Sequence, residues 1–269
     1  MSCRVDWQKA LPLVRCDELK APHGFTTRLG GVSSGIWESL NLGLSRGDDR
    51  EAVLENRRRL AAAVGFDPAQ LVCTRQVHTD TVRVVTEADW GLGMDIQPEA
   101  CDGLVTNVPG TALMVFSADC TMILLEDPIT GAVGAVHAGW RGTALGIVKK
   151  AVEAMAEAFG SRPGDLRAAI GPCIDRCCFE TRADVPEAML AALGGEAATA
   201  IDDHGDGTYH VDLKALNSLW LRRAGVERIS VSDLCTACHT DRFWSHRRVG
   251  DARGVQAGVI VCPHREEPR

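Results

Sequence analysis

The stretch "TALMVFSADCTMILLED" constrains the fold more than any other part of the chain. Its apolar character is nearly continuous, so it cannot be a strand with one wet face. It suits a strand buried on both faces, which requires covering layers on each side. The polar pair Asp119–Cys120 interrupts it near the middle. "AVGAVH" reads as a second buried strand, and it feeds a helix expected from about Thr143 to Phe159. In that helix Leu145, Val148, Val152, Met155 and Phe159 recur at steps of three and four. Lys149, Lys150, Glu153 and Glu157 fill the other side.

The remaining segments alternate irregularly between the two kinds of element. "REAVLENRRRLAAAVG" reads as a helix with Val53, Leu60 and Val64 on one side, Arg57 to Arg59 mostly solvated, and Gly65 as its stop. "LVCTRQVHTDTVRVVT" is one long strand or two short ones. "LRAAIG", "RISVSD" and "GVQAGVIVC" read as strands, and "ADVPEAMLAALGG" as a helix ended by glycine. "VDLKALNSLWLRRAG" is a helix with Asp212 as N-cap and Leu213, Leu216 and Trp220 facing inward. The expectation is a mixed α/β (α+β) fold of one domain over residues 1–269, its sheets sandwiched by helices.

The 269 residues are 45% apolar, enough for a sizeable core, and the net charge is −7. No basic patch stands out, so nucleic acid is not expected as a partner. No apolar run approaches the ~20 residues of a membrane span, so no membrane partner is expected. "MSCRVDWQKALPLVRC" lacks a signal-peptide pattern, and a cytoplasmic location is expected. The eleven cysteines cannot all pair with one another, and a reducing compartment would keep most as thiols.

Three polar residues, His78, Cys120 and His137, sit where apolar strands should give way to turns. Imidazole, thiolate and imidazole are the donors of a three-ligand zinc site with an open fourth position. The plainer alternative is a buried thiol and two locally bonded histidines. A third reading makes Cys120 a nucleophile activated by His137, with Asp119 nearby. A separate set, Cys235 and Cys238 with Cys173, Cys177 and Cys178, could form a closed zinc ribbon, although "GPCIDRCC" departs from the CxxC spacing and plain thiols remain an alternative. "RLGGVSSG" offers a glycine loop at Gly30, Gly31 and Gly35, either a substrate cover or a hairpin turn.

"TRQVHTDTV", "CDGLVT", "ADC", "VHAGWRGT", "IGPCI" and "CCFE" together resemble the YfiH-type family, also called laccase-domain or polyphenol-oxidase-like. Its members also carry the names purine nucleoside phosphorylase and peptidoglycan editing factor. The resemblance runs from about Gly24 to about Val261. It implies a fold similar to that of the cytotoxic necrotizing factor deamidases, and zinc held by His78, Cys120 and His137. Copper is the alternative ion, since the same ligands accept both. It further implies phosphorolysis of adenosine, inosine, guanosine and methylthioadenosine, with adenosine deamination alongside. The alternatives are hydrolysis of a muramyl nucleotide precursor, copper-dependent polyphenol oxidation, or zinc binding without catalysis. Oxidation fits the eight histidines poorly, because multicopper centres need many.

On that reading the partners are a purine nucleoside and phosphate, and the chain is a monomer or a homodimer. Arg141 would hold phosphate beside a helix start, with Arg75 and Arg28 as further cations. Trp140 would offer a face to the purine or ribose, or else pack in the core. Asp119 would carry a proton or orient a ligand imidazole. Gly139 and Gly142 would let backbone approach a bound group. The chain departs from the family at Ser45, where a histidine is common. It departs again in "RRVGDARG", where Val249 replaces an acidic residue and Arg253 is displaced by one.

Overall fold

The computed structural model describes residues 3–91, 94 and 99–264. Two six-stranded sheets lie at its centre. The first runs, in spatial order, β1 (Cys3–Val5), β2 (Leu13–Cys16), β3 (His23–Thr26), β15 (Gln256–Val261), β7 (Ala112–Ser117) and β4 (Leu71–Cys73). The second runs β14 (Arg228–Val231), β10 (Arg167–Ile170), β8 (Thr121–Glu126), β9 (Val133–Ala138), β6 (Gly103–Thr106) and β5 (Val82–Val84). A small third sheet pairs β11 (Glu180–Thr181), β13 (Tyr209–Val211) and β12 (Ile201–Asp203). The helices are α1 (Arg50–Val64), α2 (Trp140–Ala144), α3 (Ile147–Phe159), α4 (Asp184–Leu193), α5 (Leu213–Arg223) and α6 (His246–Val249).

Side-chain alternation explains why β7 and β8 are apolar throughout. On β7, Leu113 and Val115 enter the core between the two sheets, whereas Ala112 and Met114 face the layer that holds Leu60 and Val64 of α1. On β8, Met122 and Leu124 enter the same central core, whereas Ile123 and Leu125 face Val148, Val152 and Met155 of α3. The result is a helix–sheet–sheet–helix sandwich, the mixed α/β architecture expected from the sequence. "LVCTRQVHTDTVRVVT" resolves into two short strands: β4 pairs with β7 in one sheet and β5 with β6 in the other. The segment between them, which carries His78, therefore crosses from sheet to sheet.

The helix expected from about Thr143 starts earlier and is broken. Gly146, at φ 72°, separates α2 from α3, and Leu145 at the break is exposed. Arg57 is buried rather than solvated. Its Nε and a terminal nitrogen both donate to Leu42 O, tying α1 to the loop below it. Gly65 does end α1, in the left-handed conformation at φ 94°. Asp212 caps α5 by accepting from Ala215 N. Gly30 and Gly31 are packing requirements: a Cβ would stand 2.3 Å from Ala10 O at the first and 2.1 Å from Ser39 O at the second. One disulfide, Cys3–Cys16, joins β1 to β2 among the described residues. No described helix is long and apolar enough to cross a membrane.

Candidate metal centre

β7 belongs to one sheet and β8 to the other, so the chain must turn sharply between Ser117 and Thr121. Ser117 Oγ closes this turn by donating to Cys120 O at 2.6 Å. Asp119 holds φ 93°, a left-handed value uncommon outside glycine. His78 is the other non-glycine residue with positive φ among the described residues, at 61°. Strain of this kind persists where surrounding contacts over-determine it, and it gathers at functional sites. His137 arrives on β9, paired with Met122 of β8.

These three segments bring their side chains together. One donor atom each from His78, Cys120 and His137 lies within 4.8 Å of the others. Cys120 Sγ is 3.9 Å from His78 Nε2, and the two imidazoles meet edge to face with centroids 5.0 Å apart. A tetrahedral ion bound at about 2.0–2.3 Å by each donor sets such donors roughly 3.5 Å apart. The donor set therefore fits one metal ion without large movement. His137 is buried, Cys120 half-buried and His78 exposed, so the cluster opens on one side.

Asp102 organises the cluster. It is fully buried at the start of β6, and its carboxylate accepts from the backbone N–H of Val77, His78 and Thr79 at 3.0–3.1 Å. Its Oδ1 also accepts from His137 Nδ1 at 2.7 Å. The carboxylate can only accept, so Nδ1 carries a proton, and Nε2 is the nitrogen that binds an ion once it gives up its own. Burial opposes the Asp102 charge, but His137 and the amides outweigh it and hold the carboxyl below its usual range. Burial likewise opposes the Cys120 thiolate, yet His137 and His78 bring the thiol down to about 6. Burial pushes His137 down, while Cys120 and Asp102 push it up to about 9. Gly139 completes the packing, because a Cβ there would stand 2.9 Å from His78 Cδ2 and 3.1 Å from Cys120 Sγ.

The other expected site residues divide. Asp119 does not orient an imidazole; Asp102 does. The Asp119 carboxylate accepts from Thr236 Oγ1 at 2.6 Å, Ser245 Oγ at 3.0 Å and Arg247 N at 2.6 Å, pinning the turn that carries Cys120. Arg28 is spent on structure. Its guanidinium donates to Glu38 O and Thr240 O and lies 3.9 Å above the Trp244 ring. Arg141 is exposed and stacks at 4.3 Å on Trp140, which packs against the apolar cluster under α4 and α5. The short α2 begins at Trp140 itself, so Arg141 lies inside the helix and not ahead of it.

Arg75 lines a cavity of about 280 Å³ with Arg46, Arg57, Gln76 and Phe116. Gln76 fixes its wall by bonding both Phe116 O and Phe116 N, two residues before His78. Arg253 is a buried cation that the sequence reading noted only as a displaced motif residue. One terminal nitrogen donates to Gly254 O, while Nε is buried with no hydrogen-bond partner among the described residues. Burial and Arg46 lower its pKa, and Asp119, Asp251 and Cys120 raise it. Its signal in the sequence was an arginine in a glycine-flanked tail next to the last apolar strand.

Comparison with known proteins extends the picture. A family model described as multi-copper polyphenol oxidoreductase laccase matches residues 22–263. The chain is 41% identical over 249 residues to purine nucleoside phosphorylase YlmD of Geobacillus stearothermophilus, covering 91% of this chain and 90% of that protein. It is 40% identical over 257 residues to a purine nucleoside phosphorylase of Deinococcus radiodurans, covering 95% of each. The crystal structure of the Bacillus licheniformis hypothetical protein YfiH superposes with a TM-score of 0.90 at 34% identity, covering 96% of this chain and 98% of that one. Among the described residues two groups of potential metal ligands converge, one with two histidines and one with none. Fold, segment order and overall similarity agree, and the chain belongs to the multi-copper polyphenol oxidoreductase laccase family.

Proposed function

We propose that this chain is a purine nucleoside phosphorylase with zinc on His78, Cys120 and His137, and that it deaminates adenosine as a side reaction. The observation that carries this reading is the convergence of those three side chains on one Asp102-supported point, in a chain 40–41% identical to proteins bearing that name. Phosphorolysis breaks the bond between ribose C1′ and a base nitrogen and joins C1′ to a phosphate oxygen. The bond's electron pair leaves with the base. When bound, zinc supplies Lewis acidity, toward phosphate in one reaction and water in the other. Asp102 keeps the His137 proton on Nδ1 and fixes the loop of His78. Arg253 and Arg75 supply cations for the phosphate, whose oxygens suit a guanidinium fork. Asp119 acts as a positioning residue for the Cys120 turn.

The test is incubation of the purified chain with inosine or adenosine and phosphate. Base and ribose 1-phosphate should appear together, and both should vanish on chelation and in Cys120→Ala. Zinc-loaded protein that releases no ribose 1-phosphate contradicts the reading.

One observation favours a second reading. Asp102, His137 and Cys120 are arranged as acceptor, imidazole and thiol, the order of a cysteine nucleophile with its base. Such a set could hydrolyse an amide in a muramyl nucleotide precursor. Labelling of Cys120 by iodoacetamide in metal-free protein, with release of serine from a serine-charged precursor, would favour it over phosphorolysis.

A further inference from the structure

Four cysteine sulfurs meet outside the centre described above. Cys177 and Cys178 lie between β10 and β11, and Cys235 and Cys238 follow β14. Their Sγ atoms all lie within 4.8 Å of one another. Cys177 Sγ is 3.7 Å from Cys178 Sγ and 3.6 Å from Cys238 Sγ, and Cys178 Sγ is 3.4 Å from Cys238 Sγ. Disulfide sulfurs stand about 2.05 Å apart. Four sulfurs bound to one tetrahedral zinc at about 2.3 Å stand about 3.8 Å apart. The observed spacings fall near the second value. They are also too close for sulfurs on separate irons of a larger cluster.

We propose that Cys177, Cys178, Cys235 and Cys238 form a closed tetrathiolate site for one soft divalent cation, zinc. Cys173, the fifth cysteine of these two loops, stays outside it: its thiol is buried and donates to Ile174 O at 3.2 Å. Two N–H donors already point at the sulfurs. Asp175 N reaches Cys235 Sγ at 3.3 Å, and a terminal nitrogen of Arg248 reaches Cys178 Sγ at 3.4 Å. Such donors offset the net negative charge of four thiolates around one dication. The backbone aligns the ligands independently of any metal. Cys173 and Cys235 form a parallel bridge, and Lys214 ties Asp175 to Leu234 O.

The site's role follows from what these loops touch. Thr236, inside the CxxC, donates to Asp119 Oδ1, and Ile174 N donates to Asp119 O at 2.8 Å. Arg247 N also donates to Asp119 Oδ2, and the Arg247 side chain donates to Cys178 O at 3.0 Å. A cation on the four sulfurs therefore clamps the segments that hold the Asp119–Cys120 turn. With four protein ligands it has no open position, so its work is structural.

The experiment is zinc analysis of the purified full chain, with X-ray absorption at the zinc edge, on wild type and Cys120→Ser. Both proteins keep all four cysteines, so the outcome does not depend on a variant of the new site folding. Wild type should hold two zinc ions per chain. Cys120→Ser should retain one, with a shell of four sulfurs at about 2.3 Å and no nitrogen. A Cys178→Ser/Cys238→Ser double variant should hold one fewer than wild type. Zinc-free Cys120→Ser, or zinc there with a nitrogen-containing shell, overturns the proposal. Failure of phosphorolysis would leave it standing, because the readout is the sulfur shell and not turnover.

Discussion

Asp102 Oδ1 lies 2.7 Å from His137 Nδ1, while the same carboxylate gathers the backbone N–H groups of Val77, His78 and Thr79. One buried residue thus sets two of the three proposed ligands, one through its ring and one through its backbone. Asp102→Asn removes the charge and can offer its NH₂ where only acceptors serve. Zinc affinity should fall roughly 10–100-fold, the scale of losses when a ligand's hydrogen-bond partner is removed. Competition with a chelator measures this, and an unchanged affinity would refute the role.

Gly139 tests how tightly the ligands are packed. Its φ of −64° suits alanine, so the cost of Gly139→Ala is steric and falls on His78 and Cys120. Metal affinity should drop by about tenfold or more. The melting temperature of the metal-free protein should change little. A large loss of metal-free stability with normal affinity would mean that the glycine serves the fold instead.

Arg253 and Arg28 should behave oppositely. Arg253→Ala should raise the KM for phosphate by about tenfold or more, since hydrogen bonds to charged groups contribute roughly 1.5–3 kcal/mol. Arg28→Ala removes a cation–π contact and bonds to two carbonyls, and should cost about 1–3 kcal/mol of stability with the phosphate KM unchanged. Denaturant unfolding and phosphate saturation curves separate the two.

The layered fold was legible because β7 and β8 carry no polar face, and only covering layers on both sides satisfy such strands. The three side chains that converge were legible because His78, Cys120 and His137 interrupt apolar runs. Asp102 was not, although it stands in the quoted "CDGLVT". An aspartate before a strand reads as an ordinary turn residue, and its partners lie 23–35 positions away in sequence. Arg57 shows the same limit: its neighbours Arg58 and Arg59 are solvated, whereas the loop at Leu42 and the Phe116 ring, both distant in sequence, cover it. Leu145 fitted the helical period, but Gly146 breaks the helix there and turns it outward.

Acid stability has a source distant from the metal centre. Burial raises the Asp127 carboxyl, but Ser161, Thr130 and the amides of Ile129 and Thr130 pull it further down, leaving it below its usual value. A carboxyl depressed in the folded state contributes stability above its unfolded pKa of about 3.9 and loses it as pH falls through the folded value. Asp127→Asn should therefore flatten the fall in unfolding free energy below about pH 4. An identical slope in wild type and variant would contradict this.

The most direct measurement is phosphate-dependent cleavage of inosine by wild type and Cys120→Ala, with zinc counted in the same samples. The account predicts ribose 1-phosphate and hypoxanthine in equal amounts from wild type. It predicts loss of that activity in Cys120→Ala, together with one zinc ion per chain. Equal turnover by the two proteins would contradict it.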